Sequence, residues 1–279
     1  MFKKKNVLSL FMILFFVLGF NNLFADAAAI EGLKESQKEH LKQLGFTEEN
    51  IASMTIDEYQ DFKYAIPAEP FVQEETFYKV ISNLEGEVTG VEEYNEKDAL
   101  KLMELEERMI TPFAINTEET SWMSMTTTST KLTNGRTLLH NNFTWLKNPN
   151  VSLSDMVGLT YNDSVVIEPN TIKFSYKYTD GLGEHTLGYK SLSKNAQGIA
   201  AIFNLKGIGT NAGTSNHHGY IAVEVSKGNT NDISANAFGH YTHTTLTFSI
   251  DVSIKTGDIG LGMATAETKM TNTAIKFNF

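Results

Sequence analysis

Histidine is the side chain in this sequence best suited to proton chemistry near neutral pH. Seven are present. His217 and His218 are adjacent in the turn-forming run TSNHHG, and His240 and His243 flank Tyr241 in GHYTH. On a strand, residues three apart face opposite sides, so His240 and His243 cannot chelate one ion by themselves. Zinc would need three or four ligands in tetrahedral reach. Such a site would form only if the strand carrying His240 neighboured the 217–218 loop. The spacing therefore assigns no metal and no cofactor. It leaves His217, His218, His240, Tyr241 and His243 as candidate ligand-binding residues.

Other chemistry is weaker. Neither G-x-S-x-G nor H-E-x-x-H occurs, so the common serine-hydrolase and zinc-protease signatures are missing. A Ser-His-Asp triad depends on geometry and stays open. Paired carboxylates need two acids in one cleft, and Glu168, Asp180, Glu184 and Glu224 are the ones to test. Residues 207–213 (GIGTNAG) resemble a dinucleotide glycine pattern, but the last spacing is one residue long and no helix follows. They read as a turn cluster. Trp122, Trp145, Tyr161, Tyr189, Tyr220 and Tyr241 would stack on sugars if exposed, although core packing is the ordinary fate of such rings. No catalytic residue is assigned.

The compartment is easier to read. Lys3, Lys4 and Lys5 precede an almost wholly apolar stretch, 7–20, and then Ala25-Asp26-Ala27. Basic start, short apolar run and small-x-small site in that order are a secretory signal peptide, residues 1–27. The run is shorter than the ~20 residues a membrane span needs. The expectation is a secreted, extracellular mature chain beginning at Ala28 with no permanent membrane span. Cysteine is absent, so packing alone must hold the fold, and thiol chemistry and a cysteine-linked lipid anchor are excluded.

Charge divides the chain. Residues 28–120 carry 22 acidic and 8 basic residues, a net of −14, whereas residues 121–279 carry 10 and 12, a net of +2. An acidic front half repels phosphate and argues against nucleic acid as a partner.

The front half, 28–115, reads as mainly helical. Leu33, Leu41 and Leu44 mark a thin stripe that Gly45 stops. Thr47 can cap a short helix bearing Ile51 and Met54. Thr55-Ile56-Asp57-Glu58 is a capping box. Pro67 and Pro70 end this unit, residues 77–82 alternate like a strand, and 95–109 is helical again until Pro112. A boundary is expected near 110–120.

The back half, 116–279, reads as an antiparallel β-sandwich. Residues 240–254 alternate without a break, with Leu246, Phe248, Ile250, Val252 and Ile254 toward the core and Tyr241 and His243 on the wet side. Ile172, Phe174, Tyr176 and Tyr178 alternate with Lys173, Ser175 and Lys177. Segments 220–226 and 273–279 repeat the pattern, and 122–132, 138–146, 187–192 and 199–208 are further candidates. Gly- and Asn-rich turns lie between them. The fold class is α+β.

Three stretches together carry a resemblance: 44–59 (LGFTEENIASMTIDEY), 141–149 (NNFTWLKNP) and 238–244 (FGHYTHT). They resemble uncharacterised secreted proteins of Bacillus-like Gram-positive bacteria over most of the mature chain. The resemblance implies export from a Gram-positive cell and transfers no site residue. The expected role is a non-enzymatic extracellular or cell-surface binding protein of unknown ligand. Its binding face would be loops 179–188 and 209–219 with the 239–243 strand start, and a cell-wall or surface component is the expected partner. Two alternatives stand beside it: a membrane-active, pore-forming or toxin-like β protein masked by its acidic front half, and a cryptic extracellular hydrolase whose histidines, Glu184 and Glu224 converge in one cleft.

Overall fold

Three short helices, α1 (Glu35–Gln43), α2 (Glu48–Ser53) and α3 (Ile56–Gln60), are each delimited by their own residues. Gly45, at φ +86°, ends α1, where a side chain would also run into the Thr128 methyl. The Thr47 hydroxyl accepts from the Asn50 amide at the start of α2. At α3 the Glu58 amide donates to Thr55 Oγ1 (3.1 Å), and the Thr55 amide donates to Glu58 Oε2 (2.8 Å). The apolar residues of this group, Leu41, Leu44, Phe46, Ile51, Met54 and Phe62, do not close on themselves. Their cluster continues into Leu132, Leu138, Tyr220 and Ala222 of the sheet below.

A computed structural model describes residues 32–108, 118–149, 154–207, 213–244, 251–262 and 267–279. Residues 32–279 form one unit. After the three helices come β1 (Val72–Asn83), β2 (Val88–Tyr94), α4 (Glu96–Arg108), β3 (Glu118–Lys131), β4 (Thr137–Lys147) and β5 (Ser154–Tyr161). Then follow β6 (Val165–Ile167), β7 (Lys173–Asp180), β8 (Gly183–Leu187), β9 (Ser191–Asn195), β10 (Gly198–Asn204) and β11 (Ser215–Lys227). The chain closes with β12 (Ser234–Thr244), β13 (Asp251–Lys255), β14 (Asp258–Gly262), β15 (Glu267–Lys269) and β16 (Thr273–Asn278).

The strands form antiparallel sheets. One runs β2-β1-β3-β4-β11-β7-β8 with β6 also on β11, a second runs β15-β12-β5-β10-β9 with β16 also on β12, and β13-β14 is a separate ribbon. The two large sheets face each other across a core that includes Tyr78, Met125, Phe143, Leu159, Phe203, Val223 and Tyr241. Helices α1–α3 cover the outer face of the eight-stranded sheet, and α4 packs Ala99 on Phe77 and Trp122 of the same sheet. The ribbon covers the outer face of the other sheet, where Ile254, Ile259 and Leu261 meet Met156, Ala200 and Ile202.

The β-sandwich expectation for the back half agrees with this architecture, and the mainly helical front half is met only in part. Residues 72–83 and 88–94 are strands, and β1 pairs with β3 along its whole length. Tyr78 and Val80 point into the core while Phe77 faces α4, so an alternating segment that can bury both faces joins the sheet. The sheet crosses the expected boundary, most of which falls on residues outside those described. The long 240–254 alternation is also divided. β12 ends at Thr244, residues 245–250 lie outside the described set, and β13 belongs to the ribbon. Tyr241 and His243 are buried rather than wet, because their face of β12 is the one turned toward the eight-stranded sheet.

Candidate functional site

Where α2 meets the end of β4 and the β7–β8 hairpin, the surface opens into a cleft of about 380 Å³. Glu49, Ala52 and Ser53 form one wall, Thr179 and Glu184 another, and Thr144, Trp145, Leu146, Asn216 and His218 complete the lining. A register shift between Ser215 and His218 against β7 places Asn216 at φ +55°. Such a bulge re-aims the following side chain, here His218 toward α2.

The hydrogen bonds of His218 define its tautomer. Nδ1 lies 2.7 Å from the Asn216 carbonyl oxygen, which can only accept. Nδ1 therefore carries the hydrogen, and in the neutral ring Nε2 keeps a lone pair. Ser53 Oγ lies 2.7 Å from that Nε2 and donates to it, with the Asn50 carbonyl a more distant acceptor at 3.3 Å. Burial lowers the pKa of His218, opposed by the Asn216 carbonyl and by Glu184 and Glu49, and reinforced by Lys177. The imidazole is neutral at neutral pH. Lys177, opposite His218 in the β7–β11 register, donates to the Ser53 carbonyl and to Glu58 Oε2 (2.7 Å). Two carboxylates, Glu49 and Glu184, and no lysine or arginine line the cleft.

A second groove of about 510 Å³ runs between α4 and the α1–α2 corner, and includes Glu48, Glu75, Glu96 and Leu100. Glu49 and Leu146 line both cavities.

Of the five histidine and tyrosine residues singled out by sequence, only His218 lines the cleft. His217 is in the core, its Nδ1 2.8 Å from the Tyr176 hydroxyl, and burial pushes it down to about 4. His240 Nε2 lies 2.8 Å from Thr160 Oγ1, and burial likewise pushes it down to about 4. Tyr241 donates to the Asp155 carboxylate and accepts from Trp145 Nε1 at 2.9 Å. His243 Nδ1 lies 2.9 Å from the other Asp155 oxygen. The bonds among Tyr241, His243, Asp155 and Trp145 fasten β5, β12 and β4 together, while His217 ties β11 to β7.

Among the four acids, Glu184 alone lines it. Glu168 and Glu224 pair with Arg136 (3.1 and 2.9 Å), and Asp180 pairs with His185 (2.8 Å). The convergence of histidines with Glu184 and Glu224 is thus limited to His218 and Glu184. Among the aromatic candidates, Trp122, Trp145, Tyr161, Tyr220 and Tyr241 are buried and Tyr189 is exposed. Residues 208–212 of the glycine-rich turn lie outside those described. Among the described residues no group of three or more His, Cys, Asp or Glu side chains is arranged to hold a metal ion, and no helix is long and apolar enough to cross a membrane. Ser53, Glu49 and Lys177 were not singled out by sequence. Their placement depends on α2 docking against strands more than a hundred residues away.

No family model and no curated relative matches the chain. Among solved structures it is similar to the collagen-binding domain of a Staphylococcus aureus adhesin, with TM-score 0.31 and 7% identity over 52% of this chain and 89% of that one. It is similar to the collagen-binding subdomain of the Enterococcus faecalis surface protein ACE, with TM-score 0.29 and 6% identity over 52% and 88%. The collagen-binding domain of the Erysipelothrix rhusiopathiae surface protein RspB gives 0.28 and 6% over 57% and 65%. Likenesses of this size assign neither a ligand nor an activity to this chain.

Proposed function

We propose that this is an exported protein that binds a ligand outside the cytoplasm, at the cell surface or wall, through the cleft between α2, β4 and the β7–β8 hairpin. One observation carries the reading. The two turns picked out by sequence, 179–188 and 209–219, contribute Thr179, Glu184, Asn216 and His218 to a single cleft. Concave sites with a few convergent polar groups are the usual form of ligand sites. Export rests on the basic, apolar and small-x-small order of residues 1–27, and the Gram-positive setting on the three resembling stretches. The two carboxylates that line the cleft favour a neutral or cationic ligand group over an anionic one.

The test is co-sedimentation of residues 28–279 with isolated Gram-positive cell walls and, in parallel, with liposomes. The expected result is pelleting with walls alone, weakened about tenfold by Glu49→Lys with Glu184→Lys, on the scale of one or two lost polar contacts. A protein that stays in the supernatant with walls overturns the reading, and pelleting with liposomes transfers support to the membrane-active alternative.

A further inference from the structure

We propose that Ser53 is a nucleophile toward acyl esters, with His218 as its general base. The inference rests on the cleft being a ligand site and adds a reaction to it. An activated serine needs a base within hydrogen-bond reach and a third group that orients the base. Here the Ser53 hydroxyl is 2.7 Å from His218 Nε2, and the Asn216 carbonyl holds Nδ1–H at 2.7 Å. A backbone carbonyl takes the place a carboxylate holds in a Ser-His-Asp triad. Both side chains line an open cleft of about 380 Å³.

The reaction runs in two halves. Ser53 Oγ attacks the acyl carbon as its proton passes to His218 Nε2. The tetrahedral adduct then collapses, the carbon–alkoxide bond breaks, and Nε2–H protonates the leaving alcohol. Water next attacks the acyl-serine, giving its proton to Nε2. The carbon–Oγ bond breaks and the proton returns to Ser53. The balance is one ester and one water in, one acid and one alcohol out. The charged groups around the base are Glu49 on α2, Lys177 on β7 and Glu184 on β8. The two carboxylates direct the choice toward neutral or cationic esters.

The probe is a neutral biotin-fluorophosphonate applied to the 28–279 chain, followed by peptide mapping. The expected adduct is on Ser53 and vanishes in Ser53→Ala. In His218→Gln its rate falls about 100-fold, the scale of general-base assistance. The wild-type rate rises with pH through a titration below the ordinary histidine range and then levels, a limb that His218→Gln lacks. Wild-type protein should also hydrolyse p-nitrophenyl acetate until labelling stops it. No adduct on Ser53 in protein whose circular dichroism is native, or equal labelling of wild type and His218→Gln, overturns the proposal. Wall binding and labelling are read separately, so a loss of one leaves the other interpretable.

Discussion

His140 lies flat against Phe46, their ring centroids 4.5 Å apart and their planes 3° from parallel. The pair joins the helical layer to the sheet. Its polar edge is satisfied in one protonation state only: Asn142 Nδ2 donates to Nδ1 at 2.8 Å, and Nε2–H donates to the Leu44 carbonyl at 2.9 Å. A second proton on Nδ1 would face a donor.

Acid should therefore loosen the protein. Burial pushes His140, His217 and His240 down to about 4, while in the unfolded chain each titrates near 6.5. Their contribution is complete above about pH 6.5 and is lost as pH falls toward 4, because the unfolded state then binds the extra protons. For His140 the loss is on the order of 3 kcal/mol. Urea midpoints measured between pH 7.5 and 4 should fall steeply, and His140→Gln should flatten that slope. An unchanged slope in the variant would remove His140 from the account.

Glu58 ties α3 to the sheet through two oxygens. Oε1 accepts from Ser175 Oγ at 2.6 Å, and Oε2 accepts from Lys177 Nζ at 2.7 Å as well as from the Thr55 amide. Burial works to raise its pKa, but Lys177, Ser175 and the Thr55 amide outweigh it and hold the carboxyl below its ordinary value. Glu58→Ala should cost about 3–5 kcal/mol, because Lys177 stays buried without its counter-charge. Adding Lys177→Met should recover much of that loss in chemical denaturation. A double variant no more stable than Glu58→Ala would refute the pairing.

Gly239 lets β12 approach the opposite sheet. A methyl group there would run into Thr127 Oγ1, Asn141 Oδ1 and Thr273 Oγ1. Gly239→Ala should lower stability by roughly 3 kcal/mol, at the upper end for overpacking, and Gly181→Ala, which meets open space, by under about 0.5 kcal/mol. Equal melting temperatures for the two variants would contradict the close approach.

Local grammar predicted much of this fold. The Thr55–Glu58 box starts α3, Gly45 stops α1, and the alternation of residues 172–178 turns Tyr176 inward and Lys177 outward. What escaped depends on a second layer. β5 reads SDMVGLTY, broken by Asp155 and Gly158, yet all eight residues are buried because the other large sheet lies on one side and the ribbon on the other. Period two reports two faces; it does not say whether both are covered, which is why Tyr241 and His243 were expected in water. The cleft was partly readable, since Asn, Gly and His concentrate in its turns. Ser53 carried no such mark, as its partner is 165 residues away.

The docking of α1–α3 also sets an order of events. The Leu44 carbonyl accepts from Thr130 and His140, Asn50 donates to Asn142, Ser53 donates to His218, and Glu58 accepts from Ser175 and Lys177. Helices this short have little stability alone, and long loops must close before those partners are in reach. Docking can begin once β3 and β4 are made, but α2 and α3 are fully secured only after the strand bearing His218 has been synthesised.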